Sequence, residues 1–190
     1  MKKLAILASG SGSNAENIAN YFKGKGIAEI TLILSNNPNA YVLERANKLG
    51  IPSFVFSKKE MNETEALLDA IQKSGAEWII LAGFLLKVPQ NLLEAYDGKI
   101  VNIHPALLPK FGGKGMYGER VHQAVVESGE TESGITIHYV NEHYDEGAII
   151  FQAKCPVLKE DTADDVATKV HALEYEHFPK VIEELLLNDK

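Results

Sequence analysis

Asn102 and His104 stand two residues apart in Ile100-Val101-Asn102-Ile103-His104-Pro105, so in an extended strand both side chains project to one face. A carboxamide can donate a hydrogen bond to an oxygen that gains negative charge, and an imidazole can give or take a proton near neutral pH. Either residue alone is more often structural, a satisfied core histidine or a capping asparagine. Together, at the end of an apolar strand with little use for polar groups, they point to acid–base and oxyanion chemistry. Asp145 lies in the irregular segment from Asn141 to Gly147, which reads equally well as a solvated acidic turn. If its carboxylate were beside His104 it would favour the imidazolium and fix the ring. Spacing alone does not bring the two together.

The second candidate is the loop Ser9-Gly10-Ser11-Gly12-Ser13-Asn14, between an apolar run and a helical pattern. Backbone N–H groups of such a loop converge with a helix N-terminus on one point, which suits a phosphate. Ser13 with Glu16 also reads as a capping box, an ordinary helix start compatible with anion binding. Gly10-x-Gly12-x-x-Ala15 matches half of the dinucleotide fingerprint. The second strand, however, ends Leu34-Ser35-Asn36-Asn37, without the acidic residue that holds ribose hydroxyls. No Gly-Lys-Ser/Thr completes a nucleoside triphosphate loop.

Both candidates need strands and helices to hold them. Apolar runs of strand length occur at 4–8, 30–34, 53–56, 78–82 and 100–103, and helical periodicity at 16–22, 41–49, 63–73 and 89–96. Continuous apolar strands alternating with helices predict a doubly wound, mostly parallel α/β sheet, whose ligands sit beyond the carboxyl ends of the strands. After a helix over 119–127, two alternating strands at 134–140 and 148–157 predict an antiparallel pair. A final long helix spans 163–187, kinked or divided at Pro179. The acidic run Glu160, Asp161, Asp164 and Asp165 reads as that helix's solvated start. No repeat, linker or low-complexity stretch divides the chain, so residues 1–190 are expected to form one domain.

Composition narrows the partners. With 26 acidic against 19 basic residues among 190, the net charge of -7 disfavours nucleic acid and anionic membrane. The first apolar run is too short for a signal peptide, and no run of about 18 apolar residues could span a bilayer, so a cytoplasmic location is expected. The lone Cys155 rules out an internal disulfide and reads as a small buried strand residue.

The motifs Ser9 to Asn14, Leu81-Ala82-Gly83-Phe84, Asn102-Ile103-His104-Pro105-Ala106-Leu107-Leu108-Pro109 and Asp145-Glu146-Gly147 resemble those of the folate-dependent formyltransferases, over essentially the whole chain. The glycine loop and short length resemble the branch acting on phosphoribosylglycinamide. Relatives acting on methionyl-tRNA or hydrolysing formyltetrahydrofolate carry added domains for which the length leaves no room. The resemblance implies 10-formyltetrahydrofolate as co-substrate, 5-phosphoribosylglycinamide as acceptor, no metal, and a monomer or homodimer. It assigns catalysis to Asn102, His104 and Asp145, with Asp145 keeping His104 charged. It assigns the substrate phosphate to Gly12, Ser13 and Asn14, and the ribose to Glu174. The pterin, by the same resemblance, borders Leu85, Leu86, Lys87, Val88 and Asn102. Leu86 and Thr64 stand where the family often carries basic residues, leaving Lys58, Lys59 or Lys87 for the folate tail.

The glycine-rich segment 110–118 reads as a closing lid or as a flexible surface loop. His138 shares a strand face with Thr136 and could reach the same site, where a metal held by His104, His138 and Asp145 is conceivable but without local ligand spacing. His122, His143, His171 and His177 read as structural or surface residues. Hydrolysis of formyltetrahydrofolate and a non-catalytic phosphate-binding module remain alternatives to formyl transfer.

Overall fold

A computed structural model describes residues 1–190. Its elements in chain order are β1 (Lys2–Leu7), α1 (Ser13–Phe22), β2 (Ala28–Ser35), α2 (Tyr41–Leu49), β3 (Ser53–Val55), α3 (Lys58–Glu63) and α4 (Ala66–Lys73). They continue with β4 (Trp78–Leu81), α5 (Gln90–Ala95), β5 (Ile100–His104), α6 (Glu119–Glu127), β6 (Glu132–Tyr139), β7 (Ile149–Pro156) and α7 (Ala163–Asn188). The strands form one sheet in the order β3-β2-β1-β4-β5-β6-β7. The first five are parallel. β6 then runs antiparallel to β5, and β7 antiparallel to β6. The doubly wound sheet with an antiparallel pair expected from the sequence is therefore the fold observed.

Strand alternation explains the two cores. Leu4 and Ile6 of β1 join a cluster with Ile18 of α1, Val42 of α2 and Val170 and Phe178 of α7. Ala5 and Leu7 point the other way, to Met61 of α3, Ile71 of α4 and Leu92 of α5. Covered on both faces, β4 is wholly apolar and buried, and β5 carries polar residues only at Asn102 and His104, towards its carboxyl end. The sheet order reverses between β1 and β4, and a ligand crevice opens at such a switch point. No helix is long and apolar enough to cross a membrane.

Three local expectations change. The helix expected over 63–73 is α4, which starts only at Ala66, and a short helix α3 not expected from the sequence precedes it, started by the Ser57–Glu60 capping box and ended at Thr64 in extended backbone. The box expected at Ser13 and Glu16 does not form: Gly12, at φ 73, is the N-cap, and Glu16 pairs instead with Arg45 at 3.0 Å. Pro179 does not divide α7. Proline removes the N–H that would bond the Tyr175 carbonyl, and the Asn17 side chain donates to that carbonyl at 3.0 Å in its place. Thr162 and Asp165 cap the start of α7 as a reciprocal box, in keeping with the acidic helix start read from the sequence.

Candidate active site

The turn after β1 is tied to the turn after β4. The Ser9 N–H donates to the Gly83 carbonyl at 3.0 Å. The Ser9 hydroxyl accepts from the Leu85 N–H at 3.0 Å and donates to Asn36 Oδ1 at 2.7 Å. Gly12 is fixed by two conditions: its φ of +73 is left-handed, and a Cβ there would collide with the Val42 side chain. The loop thus presents its backbone at the start of α1, facing a cleft of about 750 Å³.

Every residue assigned to catalysis, the substrate or the pterin from the sequence lies on the wall of that one cleft. Gly12, Ser13, Asn14 and Glu174, then Leu85, Leu86, Lys87 and Val88, and Asn102, His104 and Asp145 all line it. Lys58 and Lys59, on α3, are not on the wall, whereas Lys87 is. Buried Glu174 accepts at one oxygen from Asn14 Nδ2 at 3.0 Å, and the same oxygen lies 2.9 Å from His171 Nδ1.

Asp145 does stand beside His104, with 3.6 Å between carboxylate and Nδ1, and it also faces His138 Nε2 at 3.7 Å. It takes φ 55, a left-handed conformation that Asp tolerates better than most residues, and this turns the carboxylate inward. Burial pushes its pKa up, but the facing His138 and His104 rings and the Gly113 N–H at 3.0 Å outweigh that. The group lies below its ordinary 3.8 and is ionised at neutral pH.

His104 is 3 % exposed. Its Nε2 donates to the Phe111 carbonyl at 2.7 Å, while Nδ1 faces the Asp145 carboxylate at 3.6 Å, an ion-pair distance that favours the imidazolium. Burial opposes that charge and prevails over Asp145 and Phe111, leaving the pKa below 6.5. The expectation that Asp145 keeps His104 charged therefore meets an opposing force of greater size in this conformation. A ring that is mostly neutral at pH 7 can accept a proton first and donate it afterwards, with Asp145 stabilising the imidazolium in between.

Several cleft residues had no strong sequence signal. His122, His143 and His171, read from the sequence as structural or surface groups, all line the cleft. The His171–Glu174 contact follows an i,i+3 spacing legible on a helix. Buried His122 has no such cue, and its Nδ1 lacks a hydrogen-bond partner. No group of three or more His, Cys, Asp or Glu converges as a metal ion would require.

This arrangement agrees with what the chain is similar to. The profile of the formyl transferase family matches residues 2–182. The chain belongs to the formyl transferase family. It is 40% identical over 187 residues to the chloroplastic phosphoribosylglycinamide formyltransferase of Arabidopsis thaliana, covering 95% of this chain and 64% of that protein. It is 38% identical over an alignment of 196 residues to the phosphoribosylglycinamide formyltransferase of Bacillus subtilis (strain 168), covering 100% and 98% respectively. The chain thus spans about two thirds of the plant relative's length and nearly all of the bacterial one's. Among solved structures, the phosphoribosylglycinamide formyltransferase from Anaplasma phagocytophilum superposes with a TM-score of 0.90 at 34% identity, covering 98% of this chain and 87% of that one.

Proposed function

We propose that this formyl transferase moves the formyl group of 10-formyltetrahydrofolate to the amine of 5-phosphoribosylglycinamide. The products are formylglycinamide ribonucleotide and tetrahydrofolate, in de novo purine biosynthesis. The observation that carries the reading is the meeting of Asn102, His104 and Asp145 in a single cleft that a phosphate-type glycine loop and an apolar wall also line. Residues 1–190 act in it as one domain, built on a single seven-stranded sheet.

The residues fit both molecules. Gly12, Ser13 and Asn14 offer backbone and amide groups to a phosphate at the start of α1. Asn14 Oδ1 is buried with no partner in the protein, and the Glu174 carboxylate beside it suits ribose hydroxyls. Leu85, Leu86 and Val88, with Phe84, give an apolar wall for a flat ring, and the cleft volume falls in the ligand range of about 300–1,000 Å³.

The chemistry then follows from the geometry. As the glycinamide amine forms its bond to the formyl carbon, the formyl oxygen gains charge and Asn102 Nδ2 donates to it. His104 takes the proton that the amine sheds, Asp145 stabilises the resulting imidazolium, and His104 returns the proton to the departing donor nitrogen as the old carbon–nitrogen bond breaks. For Nε2 to accept that proton, Phe111 must release it and the single hydrogen of the neutral ring must sit on Nδ1, towards Asp145, which gives the glycine-rich segment 110–118 a gating role. Deformylation of 10-formyltetrahydrofolate, followed with and without phosphoribosylglycinamide, tests the reading. Turnover only with the amine supports transfer, turnover without it assigns hydrolysis, and none with either refutes an enzymatic role.

A further inference from the structure

We infer that His138 is a positioning residue for this reaction: it fixes the Asn102 carboxamide with its nitrogen, not its oxygen, committed as a donor at the reacting centre. The inference rests on the role given to Asn102 above and concerns a residue that does not itself touch the transferred group.

His138 is 2 % exposed, so its ring nitrogens have only protein partners. Nδ1 lies 2.9 Å from the Tyr139 carbonyl oxygen, which can only accept; Nδ1 therefore carries the hydrogen. That carbonyl has little freedom to turn away. The Tyr139 N–H is bonded to the Ala148 carbonyl at 2.9 Å, and Gly147 packs so tightly on the Tyr139 oxygen that a Cβ would overlap it. With the hydrogen on Nδ1, Nε2 turns its lone pair to Asn102 Nδ2, 3.1 Å away. One amide hydrogen is thereby held on His138 and the other is left for the cleft.

The contact is built into the ladder, because Asn102 and His138 are direct register partners across β5 and β6. The nearest Asp145 oxygen, at 3.7 Å from Nε2, is beyond hydrogen-bond length, and the Gly113 N–H holds the other oxygen at 3.0 Å. Without His138 the carboxamide is free to rotate by half a turn. It would then aim its oxygen at a substrate oxygen that is becoming negative, replacing attraction with repulsion.

The test is a double-mutant cycle on the full chain. His138→Phe keeps a flat buried ring but removes the acceptor, whereas His138→Gln returns an oxygen to the place of Nε2. The expected result for His138→Phe is a kcat lower by roughly 10- to 100-fold, with KM for both substrates unchanged, as for an interaction realised in the transition state. His138→Gln recovers most of that loss. In an Asn102→Ala background His138→Phe changes kcat by less than about 2-fold, since the two residues act as one unit. Equal losses in both backgrounds overturn the inference, as does an unchanged kcat in His138→Phe. Nitrogen NMR of the wild-type protein supplies a readout independent of turnover and of how the variants fold: His138 protonated at Nδ1 alone supports the inference, and protonation at Nε2 overturns it. A wild-type protein without transfer activity removes the function reading itself, whereas wild-type transfer with an additive cycle removes only the role of His138.

Discussion

Removing one buried hydroxyl should loosen the catalytic turn. Thr136 is wholly buried on β6 and is the register partner of His104. Its hydroxyl donates to the Ala106 carbonyl at 2.7 Å and accepts from the Leu108 N–H at 3.0 Å and Gln152 Nε2 at 2.9 Å. It clamps the turn that leaves His104. Thr136→Val keeps the shape and removes all three bonds. Gln152 Nε2 retains the Leu108 carbonyl at 3.0 Å, so two backbone groups, the Ala106 carbonyl and the Leu108 N–H, are left unpaired. Each unpaired buried group costs about 1–3 kcal/mol. The added apolar burial of the Val methyl returns about 0.8 kcal/mol, so the net loss is near 3 kcal/mol. Urea unfolding should show a lower midpoint at unchanged slope, and Tm should drop by roughly 6–12 °C for a domain of this size. Turnover should fall as well, because a displacement of about 1 Å at His104 can cost on the order of 100-fold. Thr136→Ser, which keeps the hydroxyl, should stay close to wild type. A loss below about 1 kcal/mol in Thr136→Val would refute the clamp, since one unpaired group alone accounts for more.

Further outcomes follow from the site. His104→Ala should lower kcat by at least about 100-fold while the protein remains folded, and near-normal steady-state turnover would remove His104 from the chemistry. Gly12→Ala forces a side chain into Val42 at a left-handed backbone position. It should raise KM for the phosphate-bearing substrate and lower Tm, and titration calorimetry showing unaltered binding would sink the loop's assigned role. His104 and His122 both lie below their ordinary pKa through burial, so the folded protein binds fewer protons than the unfolded chain. Stability is then full above about pH 6.5 and falls as pH drops through the folded values, each group adding up to about 1.4 kcal/mol per pH unit. His171, raised by Glu174, acts in the opposite sense: its contribution is full below 6.5 and lost as pH rises through its folded value. Urea midpoints between pH 7 and 5 should decline less steeply in His122→Phe than in wild type, and identical slopes would contradict the assignment.

The extent to which this fold and site were legible follows from which information is local. Strand alternation in Ile100 to His104 put Asn102 and His104 on one face, and the turn after β1 announced itself through Gly10 and Gly12, because both signals lie within a few consecutive residues. The N-cap was misread at Ser13 since its side chain and Glu16 have the right spacing, and only contact with Val42 and Arg45 of α2 shows why Gly12 takes that position. Helix α3 carries no apolar period because its six residues bury only Met61, although the Ser57–Glu60 box that starts it is local. Asp145, His122 and His171 reach the cleft from three separate elements, and no spacing along the chain encodes their meeting. Family resemblance supplied Asp145. It did not reveal that burial of His104 opposes the charge Asp145 favours.

The reversal of direction at β6 is what joins these pieces. Residues 105–131, which include α6, are long enough for a crossover to a sixth parallel strand, yet β6 runs antiparallel to β5. The antiparallel β6 instead brings Thr136 opposite His104 and His138 opposite Asn102. Each reactive side chain on β5 thereby gains a polar partner from β6 at its own level: Thr136 holds the turn that follows His104, and His138 holds the amide of Asn102. The connection from β6 to β7 then returns past the same level carrying Asp145, which faces both imidazoles at once. A one-residue slip of β6 against β5 would turn Thr136 and His138 to the opposite face and leave Asn102 and His104 without either partner. Register at this single strand pair, set by buried Ile135 and Ile137 packing into the core, therefore decides whether the polar cluster exists at all.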